Sequence, residues 1–261
     1  MSAASECLEI LKRLLRENQM NRFAPANSFS RSDGTNEYVG GKWEPVPEAS
    51  SFATAGLACV TTLIGAYSKE SGRAIIGVVN LPFYRQEGSG YTHRFLYGVH
   101  YNQINLNNVE QPAKPRKGGR IKVVVSQAES ETITDKLFAT DKQNDEFERN
   151  VELVYVNGLG YKLYLVLTNQ ADLFFTLKPS TFRWDTCAFS SLFKSMKSRN
   201  DPKQSGCLLE LKNLLMDVGS SAKDCANYEL DYSGEELANK NGLIATLDLK
   251  LLDKVLDKLR N

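Results

Sequence analysis

Between residues 110 and 119 the pattern of the chain changes, and that change constrains the fold more than any single motif. Upstream, "LACVTTLIGAYS" (57–68) and "RAIIGVVNLPF" (73–83) are apolar and rich in β-branched residues, and "KESG" joins them. Two such runs with a tight join predict an antiparallel strand pair. "YTHRFLYGVHYNQINL" (91–106) alternates enough to add more strand. Then "EQPAKPRKGG" supplies prolines, glycines and charge, which mark a linker. Downstream the chain alternates between strand and helix. "RIKVVVSQ", "NVELVYV" and "ADLFFTL" read as strands. "SETITDKLFATD" (with Ser130 as a candidate cap), "GLGYKLYLVLTNQ", "WDTCAFSSLFKSMKS" and residues 247–260 read as helices. Such alternation predicts helices layered on a sheet. The expected division is an N-terminal α+β part over 1–117 and a C-terminal α/β part over 118–261. Residues 4–18 place Leu8, Leu11, Leu14 and Leu15 on one helical stripe, whereas 20–50 have no sustained period and predict loop or short strand.

Composition narrows the function classes. Across 261 residues the net charge is +1, without the basic excess that a dedicated nucleic-acid binder carries. A small anionic ligand needs only a local positive site and remains open. The five cysteines (Cys7, Cys59, Cys187, Cys207, Cys225) are odd in number and include no C-x-x-C pair, so free thiols are expected rather than a disulfide scaffold or a zinc ribbon. His93 and His100 lie seven apart, off the spacing of a helical zinc pair, and no nucleophilic triad is evident. The amphipathic start is not a secretory signal, and the apolar runs are too short to span a bilayer. A cytoplasmic protein is expected, with no membrane span.

Three short motifs could carry chemistry. Asp33-Gly34-Thr35, in "NSFSRSDGTNEYVGG", is either a tight turn or a carboxylate, a bare backbone and a hydroxyl offered to a metal-bound phosphate. "GLGYK" (158–162) is either a turn followed by a surface lysine or a phosphate cradle at a helix start, with Lys162 adding charge. Spacing favours the turn. Asp185, in "TFRWDTCA", stands where a helix begins; it reads as an N-cap, although a cap carboxylate can also face a metal. Glu235-Glu236 reads as a solvated turn or helix start.

Taken in order, "DGTNEYVGG", "ATAGLACVTTLIGAYSKESGRAIIGVVNLPF", "GLGYK", "TFRWDTCA" and "LANKNGLIA" resemble the inositol polyphosphate 1-phosphatase family, within the lithium-sensitive, magnesium-dependent phosphatase superfamily. The resemblance runs from about residue 1 to about residue 250, and "ANKNGLIA" (238–245) points to the inositol polyphosphate branch. It implies a layered αβαβα sugar-phosphatase fold of the α+β class, with an antiparallel sheet in the first half and a mixed sheet in the second. It implies water attack on a phosphate held by two or three magnesium ions in a ring of acids. By that resemblance Asp33 and Asp185 are metal ligands and Thr35 is catalytic. Gly34, Thr35, Ser126, Gly158 and Lys162 contact substrate phosphate.

The chain departs from the family pattern at Ser30, Arg31 and Ser32, where an Asp-Pro-Ile is expected. The family's Glu-Glu pair and an early Asp fall upstream of residue 1, so N-terminal elements are expected to be missing. Glu235-Glu236 is no substitute. With Arg31 bringing positive charge, Mg2+ is expected to bind weakly or partially. The leading expectation is Mg-dependent hydrolysis of the 1-phosphate of inositol 1,4-bisphosphate or 1,3,4-trisphosphate, by a monomer. The alternative is an impaired relative or truncated gene product that binds an inositol phosphate or a protein partner without turnover, with Arg31 holding phosphate in place of a metal. Uncovered apolar surface would then make the monomer marginally stable or prone to aggregate.

Overall fold

The computed structural model describes residues 26–44, 46, 51–101, 104–110, 119–138, 146–197, 205–217 and 220–260. The helix expected over 4–18 and most of the linker expected over 110–119 lie outside these residues.

The first half is a meander of five antiparallel strands. Strands β1 (Ala26–Asp33), β2 (Thr61–Ser68), β3 (Ala74–Glu87), β4 (Gly90–Tyr101) and β5 (Ile104–Asn107) lie in sequence order. The predicted β2–β3 pair forms in register from Thr62 opposite Asn80 to Gly65 opposite Gly77, with a shift at Ala66/Tyr67. A short helix, α1 (Thr35–Gly40), follows β1; the expectation of loop or short strand over 20–50 admits β1 but gave no sign of the helix.

The second half is a mixed sheet. Strands β6 (Ile121–Val125), β7 (Val151–Tyr155), β8 (Leu173–Thr176), β9 (Cys207–Glu210) and β10 (Leu243–Thr246) take the spatial order β7-β6-β8-β10-β9. β6 runs parallel to β7 and β8, and β10 runs antiparallel to β8 and β9. The helices are α2 (Ser130–Phe138), α3 (Glu146–Asn150), α4 (Leu159–Leu167), α5 (Arg183–Ser195), α6 (Leu211–Met216) and α7 (Leu249–Arg260). Ser130 is not a cap. It already has helical torsions, because a 3-10 turn over Gln127–Glu129 brings the chain into α2.

Side-chain alternation sorts the core into two slabs. Val124, Phe174, Leu208 and Ala245 face α4 and α5, which lie between the two sheets. Val123, Val125, Phe175 and Leu209 point the other way, onto the far layer with Ile133 of α2 and Leu252, Val255 and Leu256 of α7. A strand segment buried on both faces is apolar throughout, which is why β6 ends in three successive valines, Val123 to Val125. The result is the expected α+β layering. Four layers are described: antiparallel sheet, helices, mixed sheet, helices. None of the described helices is long and apolar enough to cross a membrane.

Helix α5 sits unusually close to the first sheet. Gly65, Gly77 and Gly98 are register neighbours on β2, β3 and β4. A Cβ on Gly65 would lie 2.6 Å from the Ala188 nitrogen, one on Gly77 1.9 Å from the Ala188 carbonyl oxygen, and one on Gly98 2.8 Å from the Leu192 Cα. The three form a bare stripe across the sheet on which helix backbone rests. Glycine inside a strand often marks such an approach.

Candidate functional site

A cleft of about 460 Å3 opens where the two halves meet. Each of its walls is the end of an element. β1 ends at Asp33, and the chain turns through Gly34 at φ 82 into Thr35, the exposed first residue of α1. The turn is close-packed: a Cβ on Gly34 would lie 3.1 Å from Val60 Cα. The carboxyl ends of the parallel strands β6 and β7 contribute Ser126 and Asn157-Gly158, with Gly158 at φ 71 leading into α4. Ligand clefts in such sheets characteristically lie beyond these strand ends. Six residues named from sequence, Asp33, Gly34, Thr35, Ser126, Gly158 and Lys162, line this one space.

Lys162 is the chemically unusual member. It lies on α4, whose residues 160–167 are all buried, and is itself only 4% exposed. Its Nζ donates to Ser126 Oγ at 2.7 Å, and among the described residues no carboxylate pairs with it. Burial lowers its pKa below the usual 10.5, while the charges of Asp33 and Glu129 work against that shift. The reading as a turn with a surface lysine therefore fails. The sequence did hold a signal: a helix apolar on every side is a buried helix, so a lysine within it is buried too.

Asp33 belongs to two elements at once. Its Oδ2 accepts the Gly160 N–H at 2.6 Å, so a carboxylate from the first sheet sits on the N-terminus of α4. That position has unsatisfied N–H groups and a positive dipole end. Asp185 does the same for α5. It is the third helical residue rather than the N-cap, and its Oδ2 reaches back to accept the Phe182 N–H at 2.9 Å. The segment leading into α5 is held from "ANKNGLIA": the Asn239 side chain donates to Thr181 Oγ1 at 3.1 Å, and Ala238 bridges to Phe182.

Sequence reasoning missed three neighbours. Gly160 is the donor to Asp33, and a Cβ there would lie 2.1 Å from Thr61 Oγ1. Thr61, opposite Asp33 in the strand register, has a buried hydroxyl with no hydrogen-bond partner among the described residues. Glu129 is 3% exposed, and its carboxylate accepts from Thr176 Oγ1 at 2.6 Å and from the Leu177 and Lys178 N–H groups at 2.8 and 3.0 Å. A buried acid satisfied on both oxygens holds a loop in place and is not free for a ligand.

The donor set does not fit a ring of two or three magnesium ions. Magnesium takes oxygen ligands, carboxylates above all, in strict octahedra. The carboxylates lining the cleft are Asp33 and Glu37, and Asp33 already spends one oxygen on Gly160. Asp185 is not among the lining residues, and one of its oxygens caps α5. Among the described residues no group of three or more His, Cys, Asp or Glu side chains could hold a metal ion. Ser30 and Arg31 pair with Ile64 and Leu63 along β1, and their side chains lie outside the described part. Glu235 and Glu236 are exposed and distant in role, with Glu236 ion-paired to Lys240.

Comparisons with known proteins bear on the family and the fold. A sequence profile described as the inositol monophosphatase family matches residues 33–196, well over half of the chain. The chain is 28% identical over 253 residues to an inositol polyphosphate 1-phosphatase of Bos taurus, and 25% identical over 250 residues to one of Homo sapiens. Each alignment covers 87% of this chain and 58% of the relative, so the chain spans under two thirds of these relatives' length. A 3'(2'),5'-bisphosphate nucleotidase 1 of Dictyostelium discoideum is 26% identical over 226 residues, covering 84% of this chain and 62% of that protein. Among solved structures, an inositol monophosphatase from Zymomonas mobilis superposes with a TM-score of 0.52 at 15% identity, covering 99% of this chain and 82% of its own. One from Anabaena (Nostoc) sp. PCC 7120 gives 0.50 at 14% identity, covering 98% and 84%. At these identities the superpositions speak for the fold alone.

Proposed function

The chain belongs to the inositol monophosphatase family, and on that premise we propose that its cleft binds a phosphorylated inositol, with Lys162 rather than a magnesium ring as the principal anchor for phosphate. The observation that carries this reading is a buried lysine at a cleft wall with no carboxylate partner among the described residues. Lysines are almost never fully buried unless paired, because an unpaired ammonium in a low dielectric is costly. An anion entering the cleft would offset that cost. Lys162 already donates to Ser126, and Nζ keeps further protons for a phosphate oxygen. Because Ser126 Oγ accepts that bond, its own O–H is left to donate to the same anion. Gly34 and Gly158, without side chains, let phosphate approach the backbone, and Thr35 adds a hydroxyl at the rim.

The family is generally magnesium-dependent. In this chain Mg2+ would find Asp33 as its main cleft carboxylate, so weak occupancy follows and no hydrolytic step is assigned to it. The second reading is hydrolysis of a 1-phosphate, with Asp33 and Asp185 as ligands and Thr35 as a catalytic hydroxyl. It is favoured by the names of the mammalian relatives and by the position of Asp33 in the cleft wall.

Calorimetry with inositol 1,4-bisphosphate, in EDTA and in Mg2+, separates the two when run beside a phosphate-release assay. Binding should persist in EDTA, weaken at least tenfold in Lys162→Met, and occur without turnover above an Asp33→Asn control. Binding that vanishes in EDTA, or phosphate release well above that control, would replace the binding reading with the hydrolytic one.

A further inference from the structure

A second cavity, of about 360 Å3, opens where α5, the edge strand β9 and the 3-10 turn over Ala222–Tyr228 meet the start of β3. It shares no lining residue with the cleft. Its walls are pinned. The Ala222 N–H donates to Asp253 Oδ1 at 2.6 Å, Glu229 bridges to Leu209, and the Tyr232 N–H donates to the Gly72 carbonyl at 2.8 Å. Leu208, Leu209, Leu230 and Leu249 supply apolar lining. The charged lining is unbalanced. Arg73 and Lys194 both pair with the carboxylate of Glu229, Arg73 at 3.3 Å, and Glu229 is the sole acid among the described lining residues. Two cations on one carboxylate leave a positive charge over, and both cations carry further N–H donors. The neighbouring Asp231 already accepts from the Ser233 N–H and hydroxyl at 2.8 and 2.7 Å. His100 also lines the cavity, and its Nδ1 donates to Asn105 Oδ1. An acceptor stands one helical turn from Lys194. The Thr186 hydroxyl donates to the Arg183 carbonyl at 3.2 Å, so Tyr232 OH donates to Thr186 Oγ1 at 3.2 Å, and Ser190 Oγ in turn donates to Tyr232 OH at 2.6 Å. Ser190 therefore keeps its lone pairs for an incoming donor.

We propose that this cavity is a second binding site, for a small organic acid with a flat apolar body and a hydroxyl at the end away from its anionic head. The head takes the remaining N–H groups of Arg73 and Lys194, as charge-assisted bonds. The body lies on the leucines, and the hydroxyl donates to Ser190 Oγ. Ser190 and Lys194 are four apart on α5, which sets their Cβ atoms about 5–6 Å apart on one face. An aromatic ring with the acid and the hydroxyl at opposite ends suits that spacing. A cation would meet the surplus positive charge. A wholly polar ligand such as a sugar phosphate would leave the leucines uncovered, so the occupant differs in class from the one proposed for the cleft. Pinned walls spare much of the ordering cost of binding.

The test titrates the whole chain by calorimetry with three probes: 4-hydroxybenzoate, benzoate and the uncharged 4-hydroxybenzyl alcohol. One equivalent of 4-hydroxybenzoate should bind and raise Tm. The alcohol, lacking the anionic head, should bind at least about tenfold more weakly, and benzoate, lacking the hydroxyl, about twofold to tenfold more weakly. Arg73→Met should weaken 4-hydroxybenzoate by at least about tenfold, and Ser190→Ala should erase its advantage over benzoate. Lys162→Met, in the cleft, should leave this binding unchanged. The proposal is overturned if 4-hydroxybenzoate does not bind in the millimolar range, if the alcohol binds as well, if Arg73→Met binds like wild type, or if Lys162→Met abolishes binding. Should Arg73→Met fail to fold, the three probes on the wild-type chain and the Ser190→Ala comparison decide.

Discussion

At Lys162, binding and stability pull against each other. Burial disfavours the charged amine, and the bond to Ser126 returns only part of what hydration supplied. Lys162→Met keeps the length of the side chain and removes the charge. It should leave Tm unchanged or raise it, while inositol phosphate affinity falls by about 1.5–3 kcal/mol, the range for a hydrogen bond to a charged group. A thermal melt and a titration on one preparation check both halves, and a large loss of Tm would mean that the lysine is structural. The lowered pKa also sets a pH dependence. Because the folded pKa lies below 10.5, the unfolded chain binds the proton more tightly between those two values, and this group's contribution to stability rises with pH there. Anion binding needs the charged amine, so affinity should fall as pH rises toward 10.5, and Lys162→Arg should flatten that fall. Affinity that does not change with pH would show that phosphate does not depend on Lys162. Part of this residue was legible in sequence, from the unbroken apolar character of α4. Its hydrogen bond to Ser126, 36 positions away, was not, because no local pattern encodes a contact at that separation.

At the scale of elements, α5 depends on what each neighbour lacks. The bare stripe of Gly65, Gly77 and Gly98 lets its backbone lie on the sheet. Gly77→Ala would press a methyl within 1.9 Å of the Ala188 carbonyl oxygen, and rigid backbone stands on both sides. The expected cost is about 1–3 kcal/mol or more, as for an overpacked core. Ser71→Ala, in the exposed β2–β3 turn, is the control expected to change little. Denaturant midpoints decide, and a Gly77→Ala protein as stable as wild type would mean that α5 can shift freely. Asp185 holds the other end of the argument. As the acid that satisfies the Phe182 N–H, its replacement by Ala should cost about 0.5–2 kcal/mol without any metal present, with Asn recovering part of that. If Asp185→Ala leaves stability in EDTA untouched, capping is not its role. Strands β2, β3 and β4 and helix α5 were legible from their apolar patterns. The glycine stripe was hidden, because it exists only once three strands pair in register.

For the whole molecule, an antiparallel first half and strand–helix alternation in the second were legible on either side of the switch in pattern near residue 115, whereas the joint between the halves was not. That joint includes the hydrogen bond from Gly160 to Asp33, which ties the end of the antiparallel sheet to the helix that follows β7 across 127 positions. In sequence, Asp33 resembled a metal ligand and Gly160 only a turn glycine. Neither gave a sign that one would satisfy the other. The bond makes separable predictions. Asp33→Ala leaves the Gly160 N–H without its acceptor at a part-buried site, which should cost about 1–3 kcal/mol. Asp33→Asn keeps an oxygen in reach and loses only the charge at the helix end, about 0.3–1 kcal/mol. Both melts are run in EDTA, where a purely metal-binding carboxylate would show no loss on substitution. If Ala and Asn were equally harmless there, Asp33 would have no structural task and its presence would have to be explained by a ligand. If Ala is the worse by the expected margin, the fold itself accounts for this carboxylate. Its resemblance to a metal site would then be insufficient, without the other acids, to assign the reaction.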